Sequence, residues 1–355
     1  MNQIYLKSFV KRTLKRIFTV FFIYTGAYRV FRLYFRGIGT ILMFHRVVTS
    51  ETLSAPRIFK DNGLVSIELL ESCIQHFLNN NYEIISLDQL YDRLSRQKAE
   101  KPFVCFTFDD GYADSYEIVY PIFKKYNLPF AIYVSNSFPN RTAILWWQML
   151  DDLILPRKQI SFEYQNKEYS FNIRNHGERL LAYSTLRKLI LSTPQNQLIN
   201  CIEAIFNKYG VFSENYLHLT ITWEQIVEMS KDPLVTIGSH TMNHLNLKQL
   251  SVKQIEEEIN NSIIQIEEKT GQGVQHFSYP YGSIMEAGRR EFNAAKAYKF
   301  KTMVTTREGN IFFKHGNNLD CLPRIEVLNN LTSFKMNLSG LETLKTSGFR
   351  RFVTE

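Results

Sequence analysis

Residues 103–111 read FVCFTFDDG, an unbroken apolar or β-branched run followed by Asp109, Asp110 and Gly111. A run this apolar, ended by a turn signal, reads as a strand buried on both faces. Such strands belong to parallel sheets covered by helices. The paired carboxylates fall at the carboxyl end of the strand, where parallel α/β architectures build their sites. Neighbouring side chains on an extended strand point to opposite sides. A bend at the strand end is therefore required if both aspartates are to serve one site. Taken alone, the motif reads equally well as an Asp-Asp-Gly turn capping the next helix.

Further strands follow the same pattern. Thr40–His45, Phe130–Ser135 and Leu234–Gly238 read as buried strands, and His276–Tyr279, Lys301–Thr305 and Cys321–Ile325 as weaker candidates. They alternate with helical segments, which predicts a parallel sheet or barrel. The clearest helix is Val252–Thr270. Ser251 and Gln254 make a capping box, Ile255, Ile259, Ile263 and Ile266 form its buried stripe, and Gly271 ends it. Glu256, Glu257 and Glu258 read as its solvated face. Residues 141–219 interrupt the alternation. Ile160, Phe162 and Tyr164, then Tyr169, Phe171 and Ile173, alternate around Gln165–Glu168, a hairpin pattern. A long helical stretch follows from Glu178 to Tyr209. This segment is expected to form an inserted subdomain beside the barrel mouth.

A second chemical signal is Gly238–His244, GSHTMNH. His240 and His244 are four apart, so a helical turn would place both imidazoles on one face. With one carboxylate they make a two-His, one-Asp site that leaves positions open for water and substrate. A lone pair at this spacing is more often incidental; beside a second strand-end motif it gains weight. The third signal is Tyr279-Pro280-Tyr281-Gly282, where Pro280 fixes the backbone and Gly282 permits a tight turn. By itself it is only a turn.

TFDDG, HTMNH and YPYG in that order resemble the motifs of the polysaccharide deacetylase family, the NodB-homology or carbohydrate esterase family 4 group. MFHRV at 43–47, WEQI at 223–226 and LPRI at 322–325 are similar to that family too. The resemblance spans Ile41–Val327, less the insertion. It implies a distorted (β/α) barrel of about seven strands and metal-dependent removal of N-acetyl groups from a glycan. It further implies Asp110, His240 and His244 as ligands of a divalent ion, zinc by preference. Asp109 would be the general base, and the Tyr281 N–H would help hold the oxyanion. Two departures stand out. Where the family's third motif often carries Arg, this chain has Ser278, which makes Arg324 the candidate replacement. The family's late general-acid element has no clear match, which leaves His315, or Asp109 itself, as the candidate acid. Plainer readings exist for both: an Arg in a structural ion pair, and a surface His. His45 either faces the site or is a hydrogen-bonded strand-end His. Two rival functions remain, a C–N hydrolase acting on a small non-sugar amide and a catalytically impaired glycan-binding protein. There is no P-loop, and Gly37-Ile38-Gly39 is too little for a dinucleotide fingerprint.

The net charge of +8 suggests a nucleic-acid partner until it is mapped. No acidic residue precedes Glu51, while nine basic ones do, leaving 33 basic against 34 acidic residues from there on. The body is thus close to neutral, a distribution that gives no sign of polyanion binding by it. The expected partner is an N-acetylated glycan or lipid-linked sugar. Cys73, Cys105, Cys201 and Cys321 are widely spaced, so a thiolate zinc site or a disulfide framework is not expected.

The basicity belongs to residues 1–36, and the deacetylase-like domain to 37–355. Leu6, Val10, Leu14, Ile17 and Phe21 recur at helical spacing beside Lys7, Lys11 and Lys15, with Arg29, Arg32 and Arg36 following. That pattern suits a helix lying in a membrane interface. The apolar run 17–28 is short for a spanning helix, which needs about 20 residues. A signal or anchor is the rival reading, with Thr25-Gly26-Ala27 a weak cleavage site. The expected place is the cytoplasmic face of the inner membrane, bound peripherally; secretion or anchoring is the alternative. Full-length protein should therefore co-sediment with anionic liposomes at low salt and be partly released at high salt. A version beginning at Gly37 should stay in the supernatant. Retention independent of salt would point instead to a spanning anchor.

Overall fold

The computed structural model describes residues 34–58, 63–328, 334, 337–340 and 352–354. The helix expected within residues 1–33 lies outside them. Among the described residues no helix is long and apolar enough to cross a membrane.

The chain opens with β1 (Gly39–Phe44), β2 (Arg46–Val48), β3 (Leu64–Ser66) and β4 (Glu83–Ile84). β5 (Phe103–Phe108) is the FVCFTF run, and β6 (Phe130–Val134) follows. β7 (Gln159–Tyr164) and β8 (Lys167–Asn172) belong to the insertion. β9 (Val235–Ser239), β10 (His276–Ser278), β11 (Thr302–Glu308) and β12 (Leu322–Glu326) complete the set. The main sheet runs β1-β12-β11-β10-β9-β6-β5 and closes on itself, because β5 also pairs with β1. That closing seam is parallel and continuous from Gly39↔Phe103 to Phe44↔Phe108. The result is the seven-stranded parallel barrel that the resemblance implies, with β4 laid against the start of β5. It is distorted where β9 meets β10 through the single pair Phe277↔Ser239, and where β11 and β12 shift register between Val304 and Glu308.

The apolar character of β5 follows from burial on both faces. Val104, Phe106 and Phe108 pack with Leu42, Phe44, Ile132 and Val134 against surrounding helices. Phe103 and Cys105 pack with Ile41, Ala131, Tyr133, Val304 and Leu322 inside the barrel. Leu87, Leu90 and Leu94 of the helix Leu87–Ser95 join that interior cluster. The helix Val252–Thr270 has the expected bounds and capping box, and Gly271 ends it at φ +70°.

The insertion has a core of its own, in which Leu150, Leu153, Phe162, Leu186 and Ile205 are buried together. Its hairpin is antiparallel and turns at Gln165 and Asn166, both left-handed at φ +53° and +57°, as a two-residue turn of the primed type requires. The long helical stretch expected after it is formed by two helices, His176–Ser192 and Gln195–Phe206. Pro194 separates them, since it offers no N–H and biases Thr193 away from helical backbone. At the base, Arg141 Nη1 donates to the Thr220 carbonyl at 3.0 Å and to the Thr220 hydroxyl at 2.6 Å, drawing the two ends of the segment together.

Gly238 marks a tight contact inside the barrel. A Cβ there would lie 2.6 Å from Tyr133 Cδ1 and 2.9 Å from the His276 carbonyl oxygen. Gly238→Ala is expected to destabilise the protein by about 1–3 kcal/mol through this overpacking, read as a lower midpoint in urea unfolding.

Candidate active site

Four strands deliver the chemical side chains to one end of the barrel. β5 ends in Asp109 and Asp110, β9 in the His240–His244 loop, β10 in Tyr279–Gly282, and β1 in His45. The Asp109 N–H donates to the Phe44 carbonyl at 2.9 Å and so extends the β1–β5 ladder by one step. The bend that the sequence requires comes next, at Asp110, whose φ of +77° is left-handed. It turns the second carboxylate to the same cavity as the first. Left-handed backbone at a non-glycine residue costs about 1–2 kcal/mol. It recurs at Thr241 (φ +67°), His244 (φ +54°) and Tyr281 (φ +59°), all within the motif loops.

The helical turn expected for His240–His244 is not formed. Left-handed Thr241 and His244 fold a compact loop instead, and the Thr241 hydroxyl accepts the His244 N–H at 3.2 Å. The imidazoles still converge, with ring centroids 4.9 Å apart. The loop is held from outside by Glu258, which the sequence assigns to a solvated face. Glu258 is buried, and its carboxylate accepts from the Asn243 N–H at 2.8 Å and the Asn243 side-chain amide at 2.6 Å. The expectation failed because helical periodicity reports the helix and not the loop packed over it.

His240 Nε2 lies 3.4 Å and His244 Nε2 3.1 Å from Asp110 Oδ1. The three residues each offer a ligand atom, all within 4.8 Å of one another. His240 Nδ1 is 2.7 Å from the Ser278 carbonyl, which can only accept. The proton is therefore on Nδ1, and the Nε2 lone pair faces the carboxylate. Burial pushes His244 below its ordinary pKa against the pull of Asp110. Asp110 Oδ1 is buried with no hydrogen-bond partner among the described residues. Lone pairs converging on an orphaned carboxylate oxygen repel unless a cation lies between them, so the donor set fits a divalent ion.

Asp109 is gripped by Arg324, with Nη1 to Oδ1 at 2.7 Å and Nη2 to Oδ2 at 2.6 Å. Arg324 is fully buried and also donates to the Thr305 carbonyl, the Thr107 hydroxyl and the Ser278 hydroxyl. All five guanidinium N–H groups are thereby matched. Burial alone would raise the Asp109 carboxyl, but the charge and hydrogen bonds of Arg324 outweigh it and hold the group below its usual range. Ser278, at the motif position where Arg is common, donates its hydroxyl to Asp109 Oδ2 at 3.3 Å.

His315 is not brought to this site. It lies in the short helix Phe313–Asn317, which follows the bridge between Ile311 and Gly39, the first residue of β1. β1 reaches the site at its other end, about 17 Å away at 3.3 Å per residue. Both ring nitrogens are engaged, Nδ1 accepting the Phe312 N–H and Nε2 donating to the Val353 carbonyl, each at 2.9 Å. His45 does line the cavity, with Nδ1 buried and without a partner among the described residues.

The cavity around these groups measures about 470 Å³. Trp147 and Tyr281 flank the ligand set, with ring centroids 5.4 Å and 4.7 Å from the His244 ring. Neither Trp147 nor Arg187, which also line the cavity, could be picked from the sequence, because both come from the insertion. Trp147 Nε1 donates to the Tyr112 hydroxyl at 2.7 Å, and Arg46 lies over the Tyr112 ring while pairing with Asp114 at 2.8 Å.

The sequence profile of the polysaccharide deacetylase family matches residues 96–302. The chain resembles the Streptococcus pyogenes deacetylase PplD, solved in complex with acetate, with a TM-score of 0.54 and 22% identity over 86% of this chain and 96% of that one. IcaB from Ammonifex degensii gives a TM-score of 0.54 and 16% identity over 85% and 96%. Both likenesses are of fold. The Bacillus subtilis protein YxkH, which carries a polysaccharide deacetylase name, is 27% identical over 95 residues. That match spans 30% of the relative's length.

The burial of His315 has a consequence for pH. Desolvation pushes it down to about 4 from an unfolded value of 6.5. A group depressed on folding stabilises above its unfolded pKa and loses that contribution as pH falls towards the folded one. Stability should therefore decline between pH 6.5 and 4, by up to about 3 kcal/mol from this residue. His315→Gln should flatten that part of the stability–pH curve, measured by urea unfolding at stepped pH.

Proposed function

The chain belongs to the polysaccharide deacetylase family, and from this premise we propose that it removes N-acetyl groups from an amino sugar of a polysaccharide or glycolipid. Asp110, His240 and His244 hold a divalent cation, zinc by preference. When bound, the cation supplies Lewis acidity to the acetyl carbonyl and to the attacking water. Asp109 takes the proton of that water as the new C–O bond forms. Arg324 keeps the Asp109 carboxylate ionised and fixes its direction. The Tyr281 N–H donates to the oxygen that gains charge; one such donor is commonly worth about 3 kcal/mol. His45, which reaches the cavity as His315 does not, supplies the proton to the leaving amine as the C–N bond breaks and acetate departs. Residues 1–36 hold the enzyme at a membrane surface.

The observation that carries the reading is the convergence of the His240 and His244 imidazoles on the buried Asp110 Oδ1, which has no hydrogen-bond partner among the described residues, next to the second carboxylate of Asp109. A cavity of about 470 Å³ supports a glycan over a small amide.

The test is acetate release from N-acetylated oligosaccharides together with metal content. Wild type should carry about one divalent ion, and His240→Ala or His244→Ala should lose most of it, since a three-ligand site has no spare ligand. Asp109→Asn should keep the ion while turnover falls roughly 10²–10⁴-fold. Full metal content and activity in either histidine variant would falsify the assignment.

A further inference from the structure

Beside the catalytic cavity lies a second one of about 310 Å³ with a different character. One wall comes from the insertion, through Ile190, Leu198, Ile199 and Ile202; the other comes from Leu245 and Leu250, beyond the His240–His244 loop. No Asp, Glu, Lys or Arg lines it among the described residues. The catalytic cavity, by contrast, is lined by Asp109, Asp110, Arg46, Arg187, Glu286 and Glu326. The two cavities adjoin, sharing Trp146, Trp147, His244 and Tyr281 as lining. A molecule seated in the groove therefore meets the rings that flank the ligand set.

We infer that this groove binds the hydrocarbon chain of an amphiphilic substrate whose N-acetyl sugar occupies the catalytic cavity. The inference rests on the deacetylase reading and names its substrate class as a lipid-linked amino sugar. A glycan strand would want polar side chains along the wall. Asn243 and Asn246 are already engaged, with Glu258 and with the Leu191 carbonyl at 2.9 Å respectively, and Gln195 and Gln249 are the other amides at the groove. Ile190, Leu198, Ile199, Ile202, Leu245 and Leu250 form a branched aliphatic surface between them, which gains from removing a hydrocarbon from water. The lip is apolar as well: Ile199 is 51% exposed, and Met285, at the mouth of the catalytic cavity, is 69% exposed. Exposed side chains of this kind beside a site suit the surface on which an amphiphile resides.

The experiment compares acetate release from methyl and octyl glycosides of N-acetylglucosamine, using the full-length protein. The octyl glycoside is expected to show a kcat/KM at least tenfold higher, and Ile199→Asp to bring the ratio near one. Ile199 is half exposed, so the variant does not disturb the core. Binding is read independently by tryptophan emission, since Trp146 and Trp147 both line the groove. Octyl but not methyl glycoside should shift it, and Ile199→Asp should abolish the shift. Equal kcat/KM for the two glycosides with no shift overturns the groove and leaves the deacetylase reading intact. A shift without acetate from either glycoside overturns the deacetylase reading and leaves the groove. A gain from lengthening the glycan instead of the alkyl chain, lost in Ile199→Asp, assigns the groove to sugars and overturns the inference.

Discussion

Arg324 and Asp109 meet without solvent, two opposite charges exchanging a pair of hydrogen bonds inside the barrel. Neither is tolerable there alone. Removing one partner of such a pair commonly costs about 3–5 kcal/mol, because a buried charge is left uncompensated. The pair also ties strands that are distant in sequence. Arg324 belongs to β12, Asp109 and Thr107 to the end of β5, Ser278 to β10 and Thr305 to β11, and one guanidinium reaches all of them. The position of the Asp109 carboxylate is thus set by barrel closure and not by its own loop. Ser278 reports the same dependence from the other side: its hydroxyl joins Asp109 and Arg324, and its carbonyl fixes the His240 tautomer.

The ligand loops are built differently. Asp110, Thr241, His244 and Tyr281 each adopt left-handed backbone that L-residues avoid. Such conformations persist where the surroundings over-determine them, and here the surroundings are identifiable. Glu258 clamps Asn243, the Thr241 hydroxyl caps the His244 N–H, and the Tyr281 carbonyl accepts the Thr306 hydroxyl at 2.6 Å. The strain is local and the restraint comes from helices and strands behind the loops, a division that keeps the ligand atoms rigid.

The barrel was legible because its signals are local. Each strand is a short run of apolar and β-branched residues, and the insertion announces itself as an alternating hairpin between them. Asp109 and Asp110 could be placed at a strand end from FVCFTFDDG alone, and the need for a bend there followed from side-chain alternation. The spacing of His240 and His244 brought the right pair to notice through the wrong conformation, since four residues also close a loop when two of them turn left-handed. Long-range partners were harder. Arg324 was reachable only because Ser278 leaves a carboxylate in want of a cation. Glu258, Trp147 and Arg187 carried no usable signal, for their roles depend on which surface packs over them. His315 misled because a histidine's place in the chain says nothing of which end of a barrel it occupies.

The clip at Arg141 gives the insertion a separable character. Its ends at 141 and 220 lie one hydrogen bond apart, and Tyr112 bridges Thr220 back to the strand-end segment that carries the aspartates. Closing a chain between fixed neighbouring points costs little more for a long segment than for a short one. The closure of the barrel therefore tolerates segments of different length between those points. Because the same segment supplies Trp146, Trp147 and one wall of the groove, a different segment there would reshape what the cavities admit without touching the aspartates and histidines at the strand ends.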